Sequence, residues 1–305
     1  MEILQVFIET LKSHVPDLYF FARKNALAGW EAAPVFLLMG AGIAVIERLW
    51  PARANQRLFS WGLLCDMVWL WATYAVIFKY IMGPFRQVLD AEIFQTFKTT
   101  VALTPFLDLP SPVQVAIVIL SVDFTNWLHH LIRHKIAVFW EFHAVHHSQR
   151  EMNFLTNERV HPLDRIFAVS IAYIPLSFLL PDGLVGPSGV AWHFAAVWWQ
   201  RLYHSNVRWT LGPLRYVLVT PQSHRIHHSA LPEHQDKNFG VLFCIWDRLF
   251  GTHYDSHDEF PHTGIQDPRF PTEQDVQPAK LVWCHLMQWI YPFQACWKRL
   301  RKAST

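Results

Sequence analysis

Two segments of the 305-residue chain repeat one histidine pattern. "EFHAVHHSQR" holds His143, His146 and His147, and "PQSHRIHHSA" holds His224, His227 and His228 at the same H-x-x-H-H spacing. A related H-x-x-x-H pattern, His130 and His134, precedes them in "DFTNWLHHLIRHK", and His204 stands between the two repeats in "QRLYHSN". Clustering imidazoles is costly, because each buried ring adds either a repelling charge or an unpaired ring nitrogen. Helical residues three and four apart share a face, so each set can aim its rings at a common point. One metal ion takes about three to five protein ligands and keeps a position open for chemistry. Nine rings are too many for one ion and suit two. Imidazole binds iron, zinc, copper and nickel, so ring type does not choose the metal. Glu141, Asp123 and Asp236 lie close enough in sequence to orient such rings. Isolated histidines such as His14, His193 and His285 read as ordinary core or surface residues. No H-E-x-x-H, G-x-S-x-G or P-loop pattern offers a competing chemistry.

The elements that carry these rings look lipid-bound. Charged residues make up 16% and hydrophobic residues 52%, with 15 Trp and 23 Phe, whereas soluble domains are about a quarter charged. A net charge of +2 gives no footprint for nucleic acid. The N-terminus "MEILQVFIET" has no basic n-region and does not read as a cleaved signal. The four cysteines are scattered, as reduced buried thiols would be. Apolar stretches approaching the ~20 residues of a membrane span run over Ala32–Trp50, Trp61–Gly83 and Val113–Ile132, with a shorter hairpin over Ile166–Leu180 and Val190–Tyr203. The loop with Arg48, Arg53 and Arg57 is cytoplasmic by the positive-inside rule. Counting crossings from it puts every histidine set on that same side. A polar loop follows Tyr254 and is expected at the surface. The aromatic, basic tail "LVWCHLMQWIYPFQACWKRLRK" reads as an interfacial helix. The expected fold is all-α: a multi-span transmembrane helical bundle with a cytoplasmic helical cap that carries a two-metal site. Its parts are N-terminal membrane helices (1–112), a catalytic domain (113–254), and a loop with the C-terminal helix (255–305).

H-x3-H, H-x2-H-H and H-x2-H-H together resemble the histidine boxes of the integral-membrane fatty acid hydroxylase and sterol desaturase superfamily. The resemblance covers about Val113 to Tyr254. "LGPLRYVLVTPQSHRIHHS" and "DKNFGVLFCIWDRLFGTHY" are similar to the stretches around the last box in its alkylglycerol monooxygenase-like and bacterial sterol desaturase branch. The resemblance implies a non-haem di-iron centre that uses O2 to hydroxylate or desaturate lipid chains or sterols, with electrons from a separate redox partner protein. It makes His130, His134, His143, His146, His147, His204, His224, His227 and His228 the candidate iron ligands. Here Leu131 stands where many relatives carry arginine, and His129 is an alternative to His130. Arg159, His161 and Asp164 in "RVHPLD" resemble a segment of sterol-oxidising members. With His129, Asp123, Asn126 and Asp236 they are candidates for orienting the ligand rings. His253 reads as peripheral.

Attack on an unactivated C–H bond needs an oxidant that no side chain supplies, and a lipid would reach it from the bilayer. The expected location is accordingly an integral membrane one, the bacterial inner membrane or the endoplasmic reticulum. Two other readings stay open on the residues alone. One is a histidine-lined membrane metal transporter or metal-binding protein without redox catalysis, which would place its ligands near the bilayer midplane. The other is a bis-histidine haem protein. Fatty acid, ceramide, sterol, alkylglycerol ether and carotenoid all remain open as substrates.

Overall fold

Helices carry the regular structure of this computed structural model, which describes residues 34–72, 108–173, 175–176 and 187–303. They are α1 (34–49), α2 (Trp61–Ala72), α3 (Ser111–Lys135), α4 (Ala137–His147), α5 (Pro162–Ala168), α6 (Pro187–Tyr203), α7 (Pro221–His227), α8 (Ile245–Phe250) and α9 (Leu281–Ala303). Among the described residues the chain forms only isolated bridges, such as Leu218 with Phe243, and no strand. The all-α expectation holds. The chain divides into two compact units, 1–46 and 47–305, and all that follows concerns the second.

Helix α3 is, among the described residues, the one helix long and apolar enough to cross a membrane. It begins before Val113 and runs past Ile132 to Lys135, so the first histidine pattern lies at the end of that helix. The other expected spans fall partly on residues outside the description: 32–33, 73–83, 174 and 177–180. Most of the turn 181–189 lies there too. The hairpin's first arm is not one regular helix. It opens earlier, at Pro162 of α5, and passes into a π turn over Val169–Tyr173.

Local chemistry sets the elements that matter. Helix α3 opens with Pro112 in its first turn and ends on Arg133, His134 and Lys135, cations that suit the negative end of the helix dipole. Ile136 is extended (φ −97°, ψ 114°) and breaks the helix for one residue before α4 starts. That single break lets the first two boxes turn towards each other. Helix α7 is started by Pro221 and a capping box between Thr220 and Ser223.

The loop after α4 is held by charge. The Arg159 guanidinium is fully buried and pairs with Asp66 of α2 and with Glu273. Gln149 and Asn153 donate to the second oxygen of Asp66 at 2.7 and 2.8 Å. Removing one member of such a triad strands a buried charge, at about 3–5 kcal/mol. Glu273 also corrects the expectation that the stretch after Tyr254 is merely surface. Phe270, Thr272 and Glu273 are buried there, because Arg159 needs a second carboxylate and Phe270 joins a cluster with Trp69, Val145, Tyr291 and Ala295. Each large apolar side chain in that cluster contributes about 1.5–3 kcal/mol.

Helix α9 has two faces. Cys284, Gln288, Tyr291 and Ala295 are buried, while Val282, Leu286, Ile290, Phe293, Trp297 and Leu300 form an exposed apolar stripe at helical spacing.

Candidate metal centre

All nine histidines of the expected set come together, in two groups. His130, His134, His143, His147 and His227 form one, and His146, His204, His224 and His228 form the other; within each, one nitrogen per ring lies within 4.8 Å of the rest. Each H-x-x-H-H is therefore shared. Positions i and i+4 differ by about 40° around a helix, whereas i+3 and i+4 differ by about 100°. His143 and His147 accordingly meet in the five-ring group and His146 turns to the other. The third box reverses the assignment: His224 and His228 join the four-ring group and His227 crosses to the five-ring one. The groups touch where His147 and His228 stack, 4.3 Å between centroids.

The chain fixes the rings through their Nδ1 atoms. His130 Nδ1 donates to the Phe239 carbonyl (2.9 Å), His227 Nδ1 to the Lys237 carbonyl (2.7 Å), His146 Nδ1 to the Arg159 carbonyl (3.2 Å) and His204 Nδ1 to the Gln200 carbonyl (2.8 Å). His143 Nδ1 lies 3.0 Å from Asp164, whose carboxylate also takes Arg133 at 2.9 Å. Burial pushes the Asp164 carboxyl up, and the Arg133 guanidinium opposes it. His134 Nδ1 lies 3.7 Å from Asp236, which is bound to Lys135 at 2.6 Å. Two residues beyond His204, Asn206 is held by the loop after α1, where Ala52 N donates to its carbonyl and Arg53 N to its side chain, both at 3.0 Å.

Proton bookkeeping tests whether the set fits a metal. A carbonyl only accepts, so His146 and His204 both carry their proton on Nδ1. Burial holds His146 well below the usual histidine range and brings His204 down to about 3, so both rings are neutral. Their Nε2 atoms then present lone pairs to each other at 3.1 Å. Two lone pairs approach so closely only around a cation. Ligand nitrogens ~2.1 Å from one ion and at right angles lie ~3 Å apart. The Nε2 atoms of His130, His143 and His227 are likewise buried with no hydrogen-bond partner. The donor set fits metal ions in both groups, and the rings that would hold them are the nine named.

The remaining candidates divide. Asp164 and Asp236 touch ligand rings. His129 lies in neither group and donates from Nδ1 to the Thr125 carbonyl at 3.1 Å. Asp123 holds a different segment, accepting from Leu242 N, Phe243 N and Trp246 Nε1. Asn126 donates to the Val122 carbonyl at 2.8 Å and lines a cavity beside the rings. Arg159 serves the buried triad, and only its carbonyl reaches a ring. His161 caps α5, accepting from Leu163 N at 3.2 Å, with burial lowering its pKa to about 4. Glu141 pairs with Arg299 of α9, and His253 with Arg248.

Sequence reasoning missed Asp247. It is buried and accepts from Trp127 Nε1, Phe239 N, Gly240 N and Thr252 Oγ1. It thereby fixes the segment whose carbonyls hold His130 and His227. That segment also uses left-handed backbone at Asp236 (φ 58°) and Asn238 (φ 57°), residue types that tolerate it. At Gly240 a Cβ would meet the Phe243 carbonyl at 2.7 Å. "DKNFG" was the available signal.

Two cavities flank the rings. One of about 400 Å³ reaches His130 and His143 from the first group and His146, His204 and His224 from the second. Another of about 330 Å³, with a different lining, reaches His134, His147 and His227.

Residues 115–252 match the family model described as fatty acid hydroxylase. The chain is similar to alkylglycerol monooxygenase of Xenopus tropicalis (31% identical over 183 residues, 58% of this chain and 40% of that protein). It is similar to the Homo sapiens alkylglycerol monooxygenase (33% over 168 residues, 55% and 35%). It also resembles the ornithine lipid hydroxylase OlsE of Rhizobium tropici (32% over 144 residues, 47% and 42%). The chain thus spans well under half the length of these relatives. No solved structure matches it significantly.

Proposed function

We propose that the chain, whose residues 115–252 match the fatty acid hydroxylase family model and which is similar to alkylglycerol monooxygenases and an ornithine lipid hydroxylase, is a membrane-bound, non-haem di-iron oxygenase of the fatty acid hydroxylase and sterol desaturase superfamily that hydroxylates or desaturates a lipid with O2. The observation that carries the metal reading is the pair of facing lone pairs on His146 and His204, 3.1 Å apart. Iron held by the two groups would supply the oxidising power that side chains lack. The chain's own residues do the rest. Carbonyls of Gln200, Arg159, Lys237 and Phe239, with Asp164, aim the ring lone pairs inward and keep the protons on the outer nitrogens. Burial keeps the rings neutral, so an ion's positive charge would not be offset by its ligands.

The reading is supported by helix α3, which is long and apolar enough to cross a membrane and carries the first box at its end, and by the 400 Å³ cavity, which offers room for part of a lipid against both groups. The exposed stripe of α9 suits the membrane interface. In this reading the apolar segments within 1–112 complete a multi-span bundle, 113–254 is the catalytic domain, and 255–305 adds the loop and interfacial helix. The histidines lie on the cytoplasmic side, where a separate redox protein delivers electrons. The test is metal and lipid analysis of the purified protein. About two irons per chain and O2-dependent lipid oxidation are expected, both reduced in His146→Ala and His227→Ala. Full activity in either variant would end the proposal.

A further inference from the structure

The charges around the 400 Å³ cavity do not cancel. Arg133 lines it and is paired with Asp164, and Glu158 lines it and is paired with Arg201. Arg165, on α5, lines it as well, and its guanidinium makes no ion pair or side-chain hydrogen bond among the described residues. Its Nε is buried without a partner. His129 borders the same space and spends its Nδ1 on the Thr125 carbonyl. One cation is left over in a cavity whose other walls are box histidines, amides and small apolar side chains. Asn126, Asn157 and Gln200 stand there beside Val160, Val197 and Val241. A hydrocarbon chain alone would leave the Arg165 guanidinium without water or a counter-charge, which is unfavourable. A polar head carrying negative charge would satisfy it.

We propose that Arg165 binds an anionic group, a carboxylate or phosphate, at the head end of the lipid substrate and so holds that end, rather than the chain terminus, against the two histidine groups. The guanidinium is built for this: its planar fork matches a carboxylate or phosphate with two parallel hydrogen bonds. The inference rests on the lipid-oxygenase reading for the word substrate, and the binding it asserts can be measured without turnover.

The experiment is equilibrium binding of radiolabelled dodecyl phosphate, dodecanoate and dodecanol to the iron-loaded protein in phosphatidylcholine nanodiscs, with empty discs subtracted. The wild type should bind at least one of the two anionic probes about 10- to 100-fold tighter than dodecanol, the worth of a charge-assisted hydrogen-bonded pair. Arg165→Gln should lose that preference and keep its iron content and its dodecanol binding. Arg165→Lys, which retains charge without the fork, should recover part of it. Equal binding of all three probes by the wild type overturns the proposal, and so does a preference that survives in Arg165→Gln. Inorganic phosphate competing as strongly as dodecyl phosphate would make this a free-anion site and overturn the lipid assignment. A protein without oxygenase activity would overturn the function proposed above and leave the binding result standing.

Discussion

The two histidine groups share their helices and differ in how they are held. In the five-ring group His130 and His227 donate to carbonyls, His143 faces the buried Asp164 at 3.0 Å, and His134 faces Asp236 at 3.7 Å. In the four-ring group His146 and His204 rest on carbonyls alone, and the Nδ1 atoms of His224 and His228 are buried without partners. A carboxylate behind a ring raises its basicity and fixes its tautomer. If both groups hold iron as proposed, the five-ring group, with more rings and two acids, is the one expected to bind it more tightly. The four-ring group leaves more positions open and gives three of its rings to the cavity that Arg165 lines. On that proposal one site holds and the other admits.

The largest effect that follows is an asymmetry in metal loss. His204→Ala takes one ring from the four-ring group and leaves the other group whole. Iron should fall to about one per chain, and lipid oxidation should drop by more than the ~10–100-fold that losing an outer partner costs. Metal analysis beside an activity assay checks both. A His204→Ala protein that keeps two irons, or loses both, breaks the division into a holding and an admitting site.

Asp164→Asn probes the holding site directly. The amide keeps the shape and gives up the negative charge that serves both His143 and Arg133. Iron affinity of the five-ring group should fall by about 10–100-fold, read by competition with a chelator, while the four-ring group changes little. The variant should also lose stability, by up to about 3–5 kcal/mol, because the buried Arg133–Asp164 ion pair loses one of its two charges. Equal weakening of both groups would mean that the acid supports the whole nest rather than one half of it.

How far this asymmetry could be read in advance depends on what kind of atom does the holding. Eight of the nine rings were legible from spacing, because i, i+3, i+4 is a helical signature and imidazole is a chemically distinct side chain, while His204 stands alone between the boxes. Their sharing between two groups was not. The ~100° between His146 and His147 is implicit in a helix, but which neighbour each ring meets depends on how α4, α6 and α7 pack. The anchors were hidden for another reason. Phe239, Lys237, Gln200 and Arg159 act through carbonyls, which every residue has. Asp123 and Asp247 show the opposite case, acids that sequence alone cannot sort. Both are buried hubs for the segment around residues 239–246, and only Asp123 drew notice, as a candidate for orienting the rings. Arg159 finds its carboxylates 93 and 114 positions away, at Asp66 and Glu273. No local pattern carries a pairing at that separation. The all-α class was legible from composition and periodicity, whereas the surface assignment of the stretch around Glu273 failed because the ion it satisfies lies so far off in sequence.

Asp236→Asn gives the smallest effect and the finest test of the comparison. Its carboxylate is 42% exposed, stands 3.7 Å from His134 and is shared with Lys135. Solvent screens a pair of that kind to about 0.2–1 kcal/mol, so iron affinity should fall by less than about fivefold. Asparagine also tolerates the left-handed backbone at this position (φ 58°), so the Lys237 carbonyl behind His227 should stay in place. If Asp236→Asn weakened iron binding as much as Asp164→Asn, distance and burial would not be what grades the two acids. The holding site would then depend on the turn 236–239 as a unit, since that turn carries Asp236 together with the carbonyls that fix His130 and His227.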